Sequence, residues 1–464
     1  MDLQQHSRNI PLPTVGTTVQ SPSRLTSMLK FLVVLYLVGM LILSVEQFLA
    51  LPQNLTSGDF WNFLFIPICW LYLIHMHRPI RFPYALGILV ILLGSFIGTL
   101  FAYNPMASII FIAKEVYLYI WFVTLVAVFA SLELSLMRRI LLIWLAVAIL
   151  HGVLLVAEFT LDNVYRFMLS FIGSIGNVKA NLIGRPTGLF ENPVWAALFE
   201  LMGFVPLLLG GLRRELSLLF GMVLLLGILS TASLGSISSL TGASVVAILL
   251  LLIIGHHIKF LVWLAAVVTL ATGLFIVTIS QFPHILANLQ HLTTDRAAHT
   301  AGERLFLWEG GTEIIFSPKS ILGVGPDNYR DFLENKTLHN DLLEFIVERG
   351  VIGLLGLALL TGEAWSSAAT ILLSQIKSAD MARPSGVIFI AMLFAFLLES
   401  NAHQIFHFRT VWLGLALLES TVFRLRFPSI ETARSVKLWD NTFQSPEKSS
   451  TLTNRRDPSS MEMR

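Results

Sequence analysis

Three residues far apart in the chain have types suited to chemistry: Arg185, Arg304 and His339. Arginine offers a planar fork of N–H donors and stays charged at any working pH, so it suits phosphate oxygens. An unperturbed histidine titrates near about 6.5, so much of it is neutral and able to take a proton from a hydroxyl. Arg185 stands in Gly184-Arg185-Pro186-Thr187-Gly188-Leu189-Phe190-Glu191-Asn192-Pro193. There Gly and Pro fix a turn, and Asn192 can cap a helix that starts at Pro193. Arg304 belongs to Glu303-Arg304-Leu305-Phe306-Leu307-Trp308, which reads as an amphipathic helix start. His339 opens His339-Asn340-Asp341-Leu342-Leu343-Glu344. Each has a plainer reading. Arg185 is then a loop cation facing water or headgroups, Arg304 half of a surface ion pair, and His339 a cap or packing residue. Between the last two lies Leu322-Gly323-Val324-Gly325-Pro326-Asp327-Asn328-Tyr329, where a lone GxG reads more simply as a turn than as an anion cradle.

The elements that must carry these residues are membrane helices. The hydrophobic fraction is 55%, charged residues make up 13%, and the mean hydropathy is +0.74. A soluble domain carries roughly 25% charge. Apolar runs of about 20 residues recur along the chain, and in lipid such runs must be helical to satisfy their own backbone. Expected spans cover about 31–50, 60–76, 83–103, 108–131, 140–160, 193–212, 216–232, 237–254, 258–280, 350–373, 385–400 and 408–425. The fold class expected is therefore an all-α integral membrane protein of about twelve transmembrane helices. Residues 1–29 read as a polar cytoplasmic tail, 30–427 as the membrane domain, and 428–464 as a disordered cytoplasmic tail. The first apolar run is too long for a signal-peptide core and reads as a retained helix. A net charge of +2 gives no reason to invoke nucleic acid, and the single Cys69 excludes an intrachain disulfide.

Alternate loops carry the cations: Arg78 and Arg81, Arg138 and Arg139, Arg213 and Arg214, Lys259, Lys377 and Arg383, then Arg424 and Arg426. That side is cytoplasmic by the positive-inside rule, and both termini fall on it. Two long segments on the opposite side, 161–192 and 281–349, hold nearly all the outer cations, including Arg185 and Arg304. Long loops are exempt from the charge bias, so this is either that exemption or an outer anion-binding site.

Other polar residues have competing roles. Glu399, His403 and His407 stand at i, i+4 and i+8 and would share a face if their helix ran so far. That spacing suits a metal, but no second cluster supports one, and hydrogen bonding at the outer rim is the favoured reading. Lys114 lies inside the fourth span, either as a phosphate contact or snorkelling to the interface. His151 and Glu200 lie deeper, and internal hydrogen bonding is their favoured role. Asn340 or Asp341 can orient the His339 ring, although side chains adjacent on a helix do not face each other.

The ordered set of motifs resembles the O-antigen ligase and polymerase superfamily of bacterial envelope glycan assembly. The resemblance rests on RPTGLFENP, ERLFLWEGG, LGVGPDNY and LHNDLLEFIVERGVIGLLG, with a large outer loop between the ninth and tenth spans. It implies a fold like the type-C glycosyltransferases and an address in the bacterial inner membrane. The implied donor is a glycan on undecaprenyl diphosphate; the acceptor is a hydroxyl of a glycan or glycolipid. No cofactor and no metal are implied. Carried onto this chain, it makes Arg185 and Arg304 donor-diphosphate residues, with Lys114 as a third contact. His339 becomes the general base, with Asn192, Asn340 and Asp341 in support. One departure stands out. Family members often carry an arginine in a Thr-Gly-Ser-Arg-Gly-like turn, where this chain has Thr231-Ala232-Ser233-Leu234-Gly235. A polymerase of the same superfamily is the nearest alternative. A transporter is the alternative from another class, but the two halves of the chain show none of the internal similarity expected of one.

Overall fold

A computed structural model describes residues 24–43, 57–175, 185–190, 192–254, 296–316, 321–329, 338–378 and 384–427, together with 269, 273 and 277. Among these residues there is no strand. The helices are α1 (Arg24–Leu43), α2 (Ser57–His75), α3 (Ala85–Thr99), α4 (Pro105–Ser131), α5 (Leu134–Thr160), α6 (Asp162–Ile175) and α7 (Pro193–Leu209). They continue as α8 (Arg214–Ser230), α9 (Leu234–Ile253), α10 (Arg296–Ile315), α11 (Asp341–Ser378), α12 (Ser385–Ser400) and α13 (Arg409–Arg426). Every expected span except 258–280 coincides with one of them. Apart from 269, 273 and 277, that span lies outside the described residues, as does the tail 428–464, and α1 begins at Arg24, within the segment expected as a tail. Among the described residues, four helices are long and apolar enough to cross a membrane: α1, α4, α5 and α9. The helices α3, α7 and α12 are shorter and apolar. The two long segments expected as outer loops contain α6 and α10.

The outward faces are greasy. Phe96 is 60% exposed, Leu150 71% and Ile253 79%. Faces of this kind are unfavourable in water and suit contact with lipid. Helix association then needs close packing, and small residues supply it. Along α3 and α11, Gly87, Gly94 and Gly98 meet the turns around Glu348, Gly353 and Gly356. A methyl group on Gly94 would lie 2.7 Å from the Gly353 nitrogen, so nothing larger than hydrogen fits.

Loop cations double as helix caps. Arg138 donates from Nε and Nη2 to the carbonyls of Gly210 and Gly211, each at 2.9 Å, closing the end of α7. Arg424 reaches the carbonyls of Phe129 and Leu132 at the end of α4. A cation at a helix C-terminus satisfies orphan carbonyls and complements the dipole. At the other ends, Asn104 and Asn192 accept from the N–H groups of Ala107 and Val194, with Pro105 and Pro193 in the first helical position. The cap expected at Asn192 is thus present.

Gly350 divides α11. Its φ of 64° and ψ of −167° are non-helical, and a Cβ there would lie 2.3 Å from the Ile321 carbonyl oxygen. The half before it, 341–349, turns toward the 322–329 segment. Val324 and Gly325 donate to the carbonyls of Val347 and Glu348 at 3.0 and 2.9 Å. Beneath this join Arg349 is fully buried, donating to Glu115 at 2.7 Å, Glu348 at 2.9 Å and Ser95 at 3.1 Å. The glycines of LGVGPDNY are therefore used for close backbone packing, the turn role favoured from sequence.

Candidate active site

The site gathers around the turn between α8 and α9. Thr231 closes α8 with its hydroxyl on the Ile228 carbonyl at 2.7 Å, and accepts from the Ser233 N–H at 3.2 Å. Ala232 follows with a φ of 49°, a conformation unusual for a residue with a Cβ. Arg185 donates from Nε to the Thr231 carbonyl at 2.9 Å. At the far end of the turn, Gly235 packs on the end of α12. A Cβ there would come within 2.8 Å of His403 Cε1 and 3.1 Å of Glu399 Oε1.

Arg304 reaches the same place from α10, with Nη2 3.1 Å from His403 Nε2. His403 Nδ1 lies 2.7 Å from Glu399 Oε1. A guanidinium can only donate, so His403 Nε2 accepts and the ring proton sits on Nδ1, aimed at Glu399. Two hydroxyls complete the carboxylate's surroundings: Ser236 donates to Oε1 at 3.2 Å and Ser239 to Oε2 at 2.9 Å. Burial pulls the Arg304 guanidinium below the usual arginine value, and the Glu399 charge pulls it back up.

His339 stands at the edge of this group. Its ring centroid is 6.4 Å from that of His403, in edge-to-face arrangement. Its φ is 52°, again left-handed. Strain of this sort persists only where the surroundings over-determine it, and it clusters at functional sites. One helix fixes two members. Four residues after Arg304, Trp308 donates from Nε1 to the Leu338 carbonyl at 3.1 Å. The motif ERLFLWEGG thus presents the arginine to His403 and holds the backbone beside His339 with the same helical face. The Glu303 side chain lies outside what the structure describes.

Asn340 and Asp341 hold the start of α11 to its surroundings. Asn340 accepts from the Leu343 N–H at 3.0 Å and donates to the Asn401 carbonyl at 3.3 Å. Asp341 accepts from the Ile405 N–H at 3.1 Å. Both tie the start of α11 to the segment after α12, which keeps His339 beside His403. Burial pushes the Asp341 carboxyl up to about 7, against the lowering effect of the Ile405 and Phe406 N–H groups and of Arg349.

Lys114 is half-exposed on α4, and no contact among the described residues joins it to this group. The three-residue face of Glu399, His403 and His407 does not form, because α12 ends at Ser400. His403 goes to Arg304, while His407 lies 3.2 Å from Glu115. No set of three potential ligands that could hold a metal occurs among the described residues. The internal hydrogen bonding expected of His151 and Glu200 is present, and they bond to each other: His151 Nδ1 lies 2.6 Å from Glu200 Oε1. It also supports the Arg185 loop, since His151 Nε2 accepts from the Leu189 N–H at 3.4 Å. Glu158 accepts from the N–H groups of Thr187 and Gly188 at 3.0 and 3.2 Å.

Sequence reasoning missed Glu399, His403, Ser236 and Ser239 as members of one site. The i, i+4 spacing of Glu399 and His403 was the available signal. The serine spacing on α9 was another, though four serines on an apolar helix had no distinctive pattern.

Residues 219–358 match the family described as O-antigen ligase. None of the curated proteins matches the chain. The matched segment runs from α8 into α11 and takes in the Thr231–Gly235 turn, Arg304 and His339; Arg185, Glu399 and His403 lie outside it. That segment is similar to the O-antigen ligase family, which belongs to the superfamily that the motifs of the chain resemble.

Proposed function

We propose that this protein is an O-antigen ligase-type glycosyltransferase of the bacterial inner membrane. It moves a glycan from undecaprenyl diphosphate to a hydroxyl on a glycan or glycolipid, without a metal, on the outer face. The single observation behind this reading is the convergence of Arg185 and Arg304 on the two ends of one turn, with His339 beside them. In the proposed topology about twelve helices span the membrane, both termini are cytoplasmic, and 161–192 and 281–349 face outward.

The chemistry follows from charge. The acceptor oxygen attacks the anomeric carbon as the bond from that carbon to the diphosphate oxygen breaks. The bonding pair leaves with the diphosphate, whose charge grows. Arg185 and Arg304 oppose that charge in the transition state, the work a divalent ion does elsewhere. Lys114 is a further cation for the donor, two turns into a helix whose Ser108 already holds the Pro326 carbonyl. The acceptor proton passes to His339. Asn192, Asn340 and Asp341 support from outside the reaction, through the cap and ties described above.

The test is a deletion strain analysed for carrier-linked glycan. A lost ligase leaves full-length chains on the lipid carrier. Single repeat units there would show a polymerase instead, and an unchanged carrier pool would refute both.

A further inference from the structure

Buried acids next to a cationic site usually either quench the cation or aim it. Glu399 is wholly buried at the end of α12. Its two oxygens accept from Ser236, Ser239 and His403, so its own hydrogen-bonding capacity is well used. It lies against the first turn of α9, where a Cβ on Gly235 would come within 3.1 Å of its Oε1. A helix N-terminus favours negative charge at that point. His403 stands between Glu399 and Arg304, and the Glu399 charge acts on the guanidinium across it.

We infer that Glu399 and His403 are positioning residues that hold Arg304 in register for a diphosphate ligand. The inference rests on the reading of Arg304 as a donor-diphosphate residue. Glu399 fixes the proton of His403 on Nδ1, which leaves Nε2 as an acceptor for a single Arg304 nitrogen. The other guanidinium N–H groups then stay available for phosphate oxygens. A long flexible arginine held at one N–H loses less freedom when it binds, which is the general advantage of preorganisation. Ser236 and Ser239 hold the carboxylate in turn, so the α9 turn that Arg185 grips also sets the aim of Arg304.

The test is binding of undecaprenyl diphosphate to the purified full chain in lipid nanodiscs. Arg304→Ala, Glu399→Gln and His403→Ala should each weaken binding by about tenfold, roughly the effect of one modest hydrogen bond. Combining Glu399→Gln with Arg304→Ala should weaken it no further than Arg304→Ala alone, because both changes act through one guanidinium. His403→Gln keeps an acceptor facing Arg304 and should bind better than His403→Ala. Wild-type affinity in Glu399→Gln would overturn the inference, as would losses that multiply in the double variant. If Glu399→Gln fails to accumulate, equal losses in His403→Gln and His403→Ala would overturn it. Wild-type affinity in Arg304→Ala would instead refute the donor reading beneath it.

Discussion

Replacing Gly188 by alanine should displace the Arg185 loop and unfold the protein more easily. Gly188 has a φ of 58°, and a Cβ there would sit 2.1 Å from His151 Nε2. The ring has little room to retreat, since Glu200 holds Nδ1 at 2.6 Å. The left-handed conformation alone costs about 1–2 kcal/mol for a residue with a Cβ. If the loop shifts instead, Glu158 loses the N–H groups of Thr187 and Gly188, and a buried polar group left unsatisfied costs about 1–3 kcal/mol. By either route the cost is about 1–3 kcal/mol, read by urea unfolding of the detergent-purified protein with tryptophan fluorescence. Transfer should drop by about 10²-fold, the scale for a roughly 1 Å misplacement of a catalytic group. Adding His151→Ala opens space for the methyl group, so the double variant should be less destabilised than the sum of the two. Stability within about 0.5 kcal/mol of wild type, the range of an inert surface change, would refute the steric argument.

Arg349→Ala leaves the carboxylates of Glu115 and Glu348 buried without their cation, and should cost about 3–5 kcal/mol. A stable but inactive variant would show that this cluster serves catalysis rather than the α3–α11 join. His339→Ala should still bind undecaprenyl diphosphate while its transfer rate falls by about 10²–10⁴; loss of binding would contradict a role in proton transfer. Asp341 has a folded-state value raised above that of an ordinary carboxyl, so the native state holds its proton more tightly. Its stabilising effect is complete below about pH 4 and is lost as the pH rises through about 7. Asp341→Asn stays neutral and keeps an acceptor for Ile405, so its melting temperature should change less between pH 4 and 7 than that of wild type; an identical profile would remove Asp341 from the titration. In a Cys69→Ala background, cysteine at Ser174 or Thr294 should react with an impermeant thiol reagent in intact spheroplasts. Labelling only after permeabilisation would reverse the topology.

The helices were legible because lipid imposes a simple rule: apolar runs of spanning length must be helical. Asn192 and Pro193 were equally legible, since a cap is local chemistry within three residues. What could not be read was which distant segments meet. Glu399 and His403 signalled a pair by their spacing, but not that Arg304, ninety-nine positions away, would join them. His407 continued the same spacing and went elsewhere, because α12 ends at Ser400 and the chain turns before reaching it. Asn340 and Asp341 looked like partners for His339 by adjacency. Adjacency gave no hint that their side chains meet the 401–405 segment, a tertiary contact with no sequence period. The Arg349 cluster was equally hidden, since its acids come from α4 and from the neighbouring position on α11.

Reconstituted transfer tests the central claim most directly. Purified wild-type protein in liposomes is supplied with an undecaprenyl diphosphate-linked glycan and a hydroxyl-bearing glycolipid, with chelator present throughout. The account predicts that the glycan moves to the glycolipid and that Arg304→Ala and His339→Ala each lower the rate by about 10²-fold or more. Transfer at near wild-type rates in both variants, or donor left unconsumed by a folded wild-type protein, would contradict it.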